Sequence, residues 1–387
     1  MAQLEKFYNI ADLREAARRR LPKAVFEYID RGTEDEVSLS ENRAAFNRLT
    51  LRTRFMVDLS ERDMGTEIFG KRIDLPIIIA PTGIAGLCWY EGELALAQAA
   101  AAAGIPFTLA MSSLTPLESI AAQAGGRPWY QLYMWEEEEL SYEMVGRARD
   151  LNFEALVVTI DSALGRAREY NHRNGFSVPL KINPTLMTDL MMHPRWLTSV
   201  MFRYFMNGGM PNHANYPAQY KPVIASRNGR TPKRHEAMTW KDIARMRDFW
   251  PGKLIVKSIL SADQARQAVD HGADAIVVSN HGGRALDGSV PTIDVLPEIV
   301  AAVGERTTII LDSGIRRGSD IVKAVALGAD AVMVGRATLY GTAAAGMAGA
   351  TKALGILGEE FERSMGYVGC RNVQELDPTI FGPTNRN

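Results

Sequence analysis

The sequence holds only two cysteines, Cys88 and Cys370. That is too few for a disulfide framework or a zinc cluster, and it suits a reducing cytosol. Basic charge is not in excess: 44 Lys and Arg stand against 45 Asp and Glu, a net charge of -1. Nucleic-acid binding usually needs a strong basic field, so no nucleic-acid partner is expected. No apolar run reaches the roughly 18 residues of a membrane-spanning helix. The opening "MAQLEKFYNIADLREAARRR" (1–20) lacks the apolar core of a signal peptide. These absences lead to the expectation of a cytoplasmic protein that does not cross a membrane and has no metal centre.

What is present is a regular alternation. The 387 residues are 46% hydrophobic and 23% charged, ordinary for a globular chain. Eight short apolar runs recur: "LPIIIAP" (75–81), "IPFTLAM" (105–111), "PWYQLY" (128–133), "ALVVTID" (155–161), "KLIVKS" (253–258), "AIVVSN" (275–280), "TTIILDSG" (307–314) and "AVMVG" (331–335). Helical patterns such as "EGELALAQAAAAAG" and "SADQARQAVDHGA" lie between most of them. Continuous apolar strands alternating with amphipathic helices indicate βαβ units and a parallel sheet buried on both faces. Eight units favour an α/β fold of the closed (β/α)8 (TIM) barrel type. An open doubly wound sheet would usually carry GxGxxG after its first strand, and "APTGIAG" is not that motif.

One spacing is out of step. The fourth run ends near Asp161 and the fifth begins near Lys253, so a long insertion follows strand four. The expectation is a single barrel domain over 1–387, with a lid or membrane-associating insertion at about 175–235. Its centre, "LMTDLMMHPRWLTSVMFRYFMNGGMP" (186–211), is rich in Met and aromatics, with Arg195 and Arg203 interspersed. Leu197, Val200, Met201, Tyr204 and Phe205 fall on one helical face. Either a lid or subunit-contact helix, or a helix lying in a membrane surface, would use such a face.

In a barrel the strand C-termini build the active site. Those ends carry Thr82 and Gly83, then Ser112, then Gln131 and Tyr133. Next come Thr159, Asp161 and Arg168, then Lys257, then Ser279, His281 and Arg284. Asp312, Gly314 and Arg316 follow the seventh run, and Gly335 and Arg336 the eighth. "DSGIRRG" and "VGR" occupy the usual phosphate position of such barrels, where glycine admits backbone N–H groups and arginine adds bidentate charge. Lys257 ends an apolar strand inside the mouth, where a fixed cation would stabilise negative charge on a cofactor. Arg168 and Arg284 match the geometry of a carboxylate. His281 is placed to accept a proton, and a carboxylate such as Asp161 would stabilise the protonated ring. The other five histidines are read as structural.

"SNHGGRALDG", with "LPKAVFEYIDRG", "QLY", "VTID", "IVKS" and "DSGIRRGSDIVKAVALGADAVMVGR", resembles the FMN-dependent L-2-hydroxy acid oxidases and dehydrogenases from about Phe7 to about Cys370. The resemblance implies FMN as cofactor, His281 as active-site base with Asp161 as its partner, and Arg168 and Arg284 on the substrate carboxylate. It implies substrate contacts for Tyr28 and Tyr133, and Lys257 beside the flavin. Ser112, Gln131 and Thr159 match flavin-contacting positions, and Gly314, Arg316, Gly335 and Arg336 the phosphate turns; the strand-end residues Thr82, Ser279 and Asp312 are counted with the cofactor site, Ser279 beside the base. Leu114 stands where glycolate oxidase-like members have tryptophan, and Gly83 where many oxidases have alanine. Both changes remove volume near the expected substrate.

The resulting expectation is oxidation of an (S)-2-hydroxy acid, mandelate or one of similar bulk, with a quinone or other carrier as electron acceptor. "HPRW" (193–196) resembles the membrane-associated mandelate and lactate dehydrogenases, which implies peripheral contact at the inner face of the cytoplasmic membrane. A homotetramer is expected. The alternatives are an L-lactate dehydrogenase, an O2-using oxidase, or an FMN barrel isomerase; the last would have no use for the arginine pair.

Overall fold

Each of the eight apolar runs forms a strand. The computed structural model describes residues 4–161, 164–165, 167–177, 183–220 and 232–383. A short hairpin, β1 (Thr66–Ile68) and β2 (Lys71–Ile73), precedes the strands β3 (Ile77–Ile79), β4 (Pro106–Ala110), β5 (Arg127–Leu132) and β6 (Ala155–Thr159). After the insertion come β7 (Lys253–Ile259), β8 (Ala275–Val278), β9 (Thr308–Asp312) and β10 (Ala331–Val334). β3 to β10 close into one barrel in chain order, all neighbours parallel.

Alternation along each strand sorts its side chains. Ile78, Trp129, Val157, Ile255, Val277, Ile310 and Met333 point into the barrel and form one buried cluster. Ile77 and Ile79, on either side of Ile78, belong to the larger core between strands and helices. Small residues complete the interior: Ala80, Ala155, Ala275 and Ala331. Ile68 and Ile73 of the hairpin join this inner cluster, with Phe69 packed on it, so the hairpin plugs the end at which the strands begin. "TEIFGKRI" (66–73) gives this plug little signal, because three-residue strands are too short to show a period.

Helices pack outside, including Gly92–Ala102 and Ala262–Asp270, the latter capped by Ser261 accepting from the Gln264 N–H. The helix Lys23–Asp30 brings the N-terminal segment over the mouth. There the Thr33 N–H donates to the Gly283 carbonyl, and Arg284 and Arg336 donate to the Arg31 carbonyl.

The insertion lays part of its helical face on the barrel. Helical backbone runs from Pro194 to Met206, with a π-helical stretch at Leu197–Met201. Val200 is buried, and Leu197, Met201 and Tyr204 pack against the main core. Trp196 donates its indole N–H to the Leu87 carbonyl at 2.7 Å. Four of the five residues on the expected apolar face therefore cover the barrel, and only Phe205 turns outward. The exposed apolar set joins Phe205 to Met187, Met191, Met192, Phe202, Met206 and Met210. Residues 178–182 and 221–231 of the expected span lie outside the described residues. Among the described residues no helix is long and apolar enough to cross a membrane.

Candidate active site

At the C-terminal mouth the strand ends enclose a cavity of about 620 Å³, within the size range of small-molecule sites. All but three of the residues singled out from the sequence line it: Tyr28, Thr82, Gly83, Ser112, Gln131, Tyr133, Thr159, Arg168, Lys257, His281, Arg284, Asp312, Gly314, Arg316, Gly335 and Arg336. The exceptions are Leu114, Asp161 and Ser279.

Asp161 stands behind His281, its two carboxylate oxygens 3.1 and 3.0 Å from Nδ1. This contact fixes the proton on Nδ1 and leaves Nε2 as the basic nitrogen. Nε2 lies 3.2 Å from the Tyr133 hydroxyl. Ser279 is also behind the wall. Its Oγ accepts from Lys257 Nζ and donates to Asp312, both at 2.6 Å, and receives the His281 N–H at 3.0 Å. It is the brace that joins the lysine to the histidine loop. Leu114 follows β4, packs against Gly86 and does not itself line the cavity.

Lys257 and Asp312 form a buried ion pair with Nζ to Oδ2 at 2.6 Å. Burial opposes ionisation of Asp312, but Lys257, the Ser279 hydroxyl and His281 outweigh it and hold the carboxyl below its ordinary range. The backbone is bent to aim these groups. Ser258, His281 and Ser313 have φ of 85°, 59° and 86°, a region non-glycine residues rarely enter. The β7–β8 register shifts between Lys257 and Ile259, so a bulge sits beside the lysine. Such strain collects at functional sites.

Around the rim, Tyr28 lies under two guanidiniums, with Arg168 and Arg284 5.5 and 5.1 Å from its ring centroid. Arg316 and Arg336 stand at the β9–β10 side, where a helix begins at Arg336. Buried Arg336 donates to the carbonyls of Ile29, Arg31 and Gly282, which anchors it.

Two polar atoms on the wall, Gln131 Nε2 and Thr159 Oγ1, are buried and make no hydrogen bond. Leaving such a group unsatisfied costs about 1–3 kcal/mol, so the site is built for a ligand that engages them. Gly83 adds a cradle, since a Cβ there would come within 2.4 Å of Ser112 Oγ. Elsewhere, Glu138, His235 and Asp242 converge as metal-type ligands, but Arg245 already bridges both carboxylates.

Residues 17–383 match the FMN-dependent dehydrogenase family. The chain belongs to that family. It is 38% identical to (S)-mandelate dehydrogenase of Pseudomonas putida over 97% of this chain and 93% of that one. It is 37% identical to L-lactate dehydrogenase of Pectobacterium atrosepticum over 94% of each. The crystal structure of monotopic membrane protein (S)-mandelate dehydrogenase superimposes with a TM-score of 0.89 at 38% identity, covering 97% of this chain and 99% of that chain. The chain is thus an FMN-dependent oxidoreductase acting on the CH–OH group of a 2-hydroxy acid. The cavity fits FMN: it offers two unsatisfied polar atoms and a glycine cradle at one side and a pair of arginines at a helix start on the other.

Sequence reasoning missed His213, Tyr216 and Arg234, which also line the cavity. They come from the insertion, and no strand-end rule points to them.

Proposed function

We propose that the chain oxidises an (S)-2-hydroxy acid of mandelate-like bulk to the 2-oxo acid, as one FMN-binding unit over 1–387. The observation that carries this reading is His281, held by Asp161 on one nitrogen and facing Tyr133 with the other, inside a cavity that also holds Arg168 and Arg284. The two guanidiniums receive the substrate carboxylate and Tyr28 supports them. His281 Nε2 takes the proton given up as C–OH becomes C=O, and Asp161 balances the imidazolium. Tyr133 hydrogen-bonds the reacting oxygen. FMN, when bound, supplies the two-electron acceptor. Gly83, Thr82, Ser112, Gln131, Thr159, Lys257 and Asp312 would hold its ring system, with Ser279 bracing Lys257. Gly314, Arg316, Gly335 and Arg336 would hold its phosphate. A carboxylate clamp has no use in an isomerase.

Reoxidation by a membrane quinone goes with attachment at the inner face of the cytoplasmic membrane, supported by the exposed apolar set on the insertion. The family resemblance adds a homotetramer, which sedimentation would measure. The test is anaerobic mixing of the FMN-loaded protein with mandelate, lactate and glycolate, followed by air. Flavin bleaching fastest with (S)-mandelate, and slow recovery in air but fast recovery with a quinone, is expected. Bleaching by none of the acids would reject the reading, and fast recovery in air would make the protein an oxidase.

A further inference from the structure

Once the carboxylate is assigned to Arg168 and Arg284 and the hydroxyl to His281 and Tyr133, the substrate's remaining substituent must face the rest of the wall. That wall contains a third guanidinium, Arg234. It lies over the Tyr133 ring at 4.3 Å from the centroid, hydrogen-bonds the neighbouring Tyr216 and makes a weak contact with Met111 Sδ at 3.6 Å. Among the described residues it forms no ion pair. Its backbone is not loose: Arg234 bridges Trp135, and the flanking residues exchange Glu136 N–H to Lys233 carbonyl and His235 N–H to Met134 carbonyl bonds. The strand-like clip fixes the guanidinium beside Tyr133.

His213 and Tyr216 complete this corner. His213 is buried, contacts the Ser112 carbonyl through Nδ1 at 3.2 Å and stacks on Tyr216 at 4.5 Å. Burial pushes the ring down to about 4, so it is neutral at physiological pH. The corner therefore carries one net positive charge, from Arg234. One substrate carboxylate already faces two arginines, so this third cation has no counter-charge among the described residues in a monoacid complex.

Resting on the proposed 2-hydroxy acid chemistry, we propose that Arg234, with His213 and Tyr216, is a second anion subsite, and that the preferred substrate is a bulky 2-hydroxy acid whose side chain ends in a second carboxylate. A guanidinium that pairs with that carboxylate trades a partly hydrated charge for a charge-assisted bond. A neutral side chain of the same shape leaves the guanidinium desolvated and unpaired.

The test uses inert ligands as well as turnover. Calorimetric titration of the FMN-loaded protein compares terephthalate with 4-isopropylbenzoate, which match in shape and differ in the second carboxylate. The expected result is terephthalate binding about tenfold or more tightly, the scale of one charge-assisted hydrogen bond. Arg234→Met should erase that preference while keeping 4-isopropylbenzoate binding, which also shows that the variant is folded. Arg234→Lys should restore part of it. Flavin reduction by 4-carboxymandelate over 4-isopropylmandelate should follow the same pattern. Equal binding of both benzoates would overturn the subsite and leave the carboxylate clamp standing. Binding of neither would reject both. Arg234→Met slowing both mandelates equally, with unchanged ligand preference, would reduce Arg234 to a residue that positions Tyr133.

Discussion

His281 shows how much of a site can be read one residue at a time. A histidine on a glycine hinge after an apolar strand reads as an outward-facing base, and the structure supplies what letters cannot: Asp161 at 3.0 Å and Tyr133 at 3.2 Å on opposite nitrogens. His281→Ala should leave FMN content near normal and slow flavin reduction at least about a hundredfold, the lower range of general-base effects. Stopped-flow reduction near the wild-type rate would remove His281 from that role. Arg284→Lys tests the clamp in a different way. Lysine keeps the charge but loses the planar fork and the bond to the Arg31 carbonyl. Affinity for the hydroxy acid and for inert carboxylates should fall together, and unchanged affinity for both would place the clamp elsewhere. Strand-end residues were legible because barrel topology brings every such end to one mouth. That Leu114, after β4, turns toward Gly86 was not legible, because its position in the chain does not reveal its packing partner. Arg234 and His213 were hidden more deeply, since a segment distant in sequence carries them to Tyr133 and Ser112.

At the scale of elements, the eight barrel strands were legible because burial on both faces demands uninterrupted apolar runs. The insertion shows the limit of helical periodicity. The pattern marked an apolar face at Leu197, Val200, Met201 and Tyr204, but could not say that the barrel covers it. What remains outward is a second surface, spread over Met191, Met192, Phe202, Phe205 and Met206, with Arg195 exposed nearby. Arg203 is already stacked on Tyr90 at 4.2 Å, so it is a poorer candidate for lipid phosphate than Arg195. If this surface attaches to membranes, replacing those five apolar residues by serine should release the protein from anionic liposomes in a flotation assay. Reduction by hydroxy acid should be unchanged, because none of the five lines the cavity. Equal flotation of both proteins, or none by either, would assign the surface to another partner.

On the scale of the whole molecule, the catalytic mouth depends on a barrel whose opposite end is sealed by a hairpin, and one carboxylate ties the two together. Glu154, just before β6, accepts from Arg127 Nε at 2.8 Å, Trp129 Nε1 at 2.9 Å and Lys71 Nζ of the hairpin at 2.9 Å. Arg127 also donates to the Ile68 carbonyl, and Phe69 lies 5.7 Å from the Trp129 ring. Burial alone would raise the Glu154 carboxyl, but Arg127, Trp129 and Lys71 outweigh it and hold it below the usual range. A carboxyl depressed by folding stabilises the native state above its unfolded value, about 4.3 for glutamate, and loses that contribution as pH falls through the lower folded value. Glu154→Gln should therefore lower the Tm at pH 7, since Arg127 keeps its charge without a counter-ion in a half-buried place. As the pH falls below the unfolded value and through the lower folded one, the wild-type carboxylate is protonated too, and the gap between the two proteins should close. Thermal scans of both proteins from pH 7 to pH 3 make the comparison. A gap that stays constant across that range would show that Glu154 acts through its shape and hydrogen bonds alone. A gap that closes would mean that the seal at the far end of the barrel is electrostatic, and that acid loosens the scaffold from the side opposite to the chemistry.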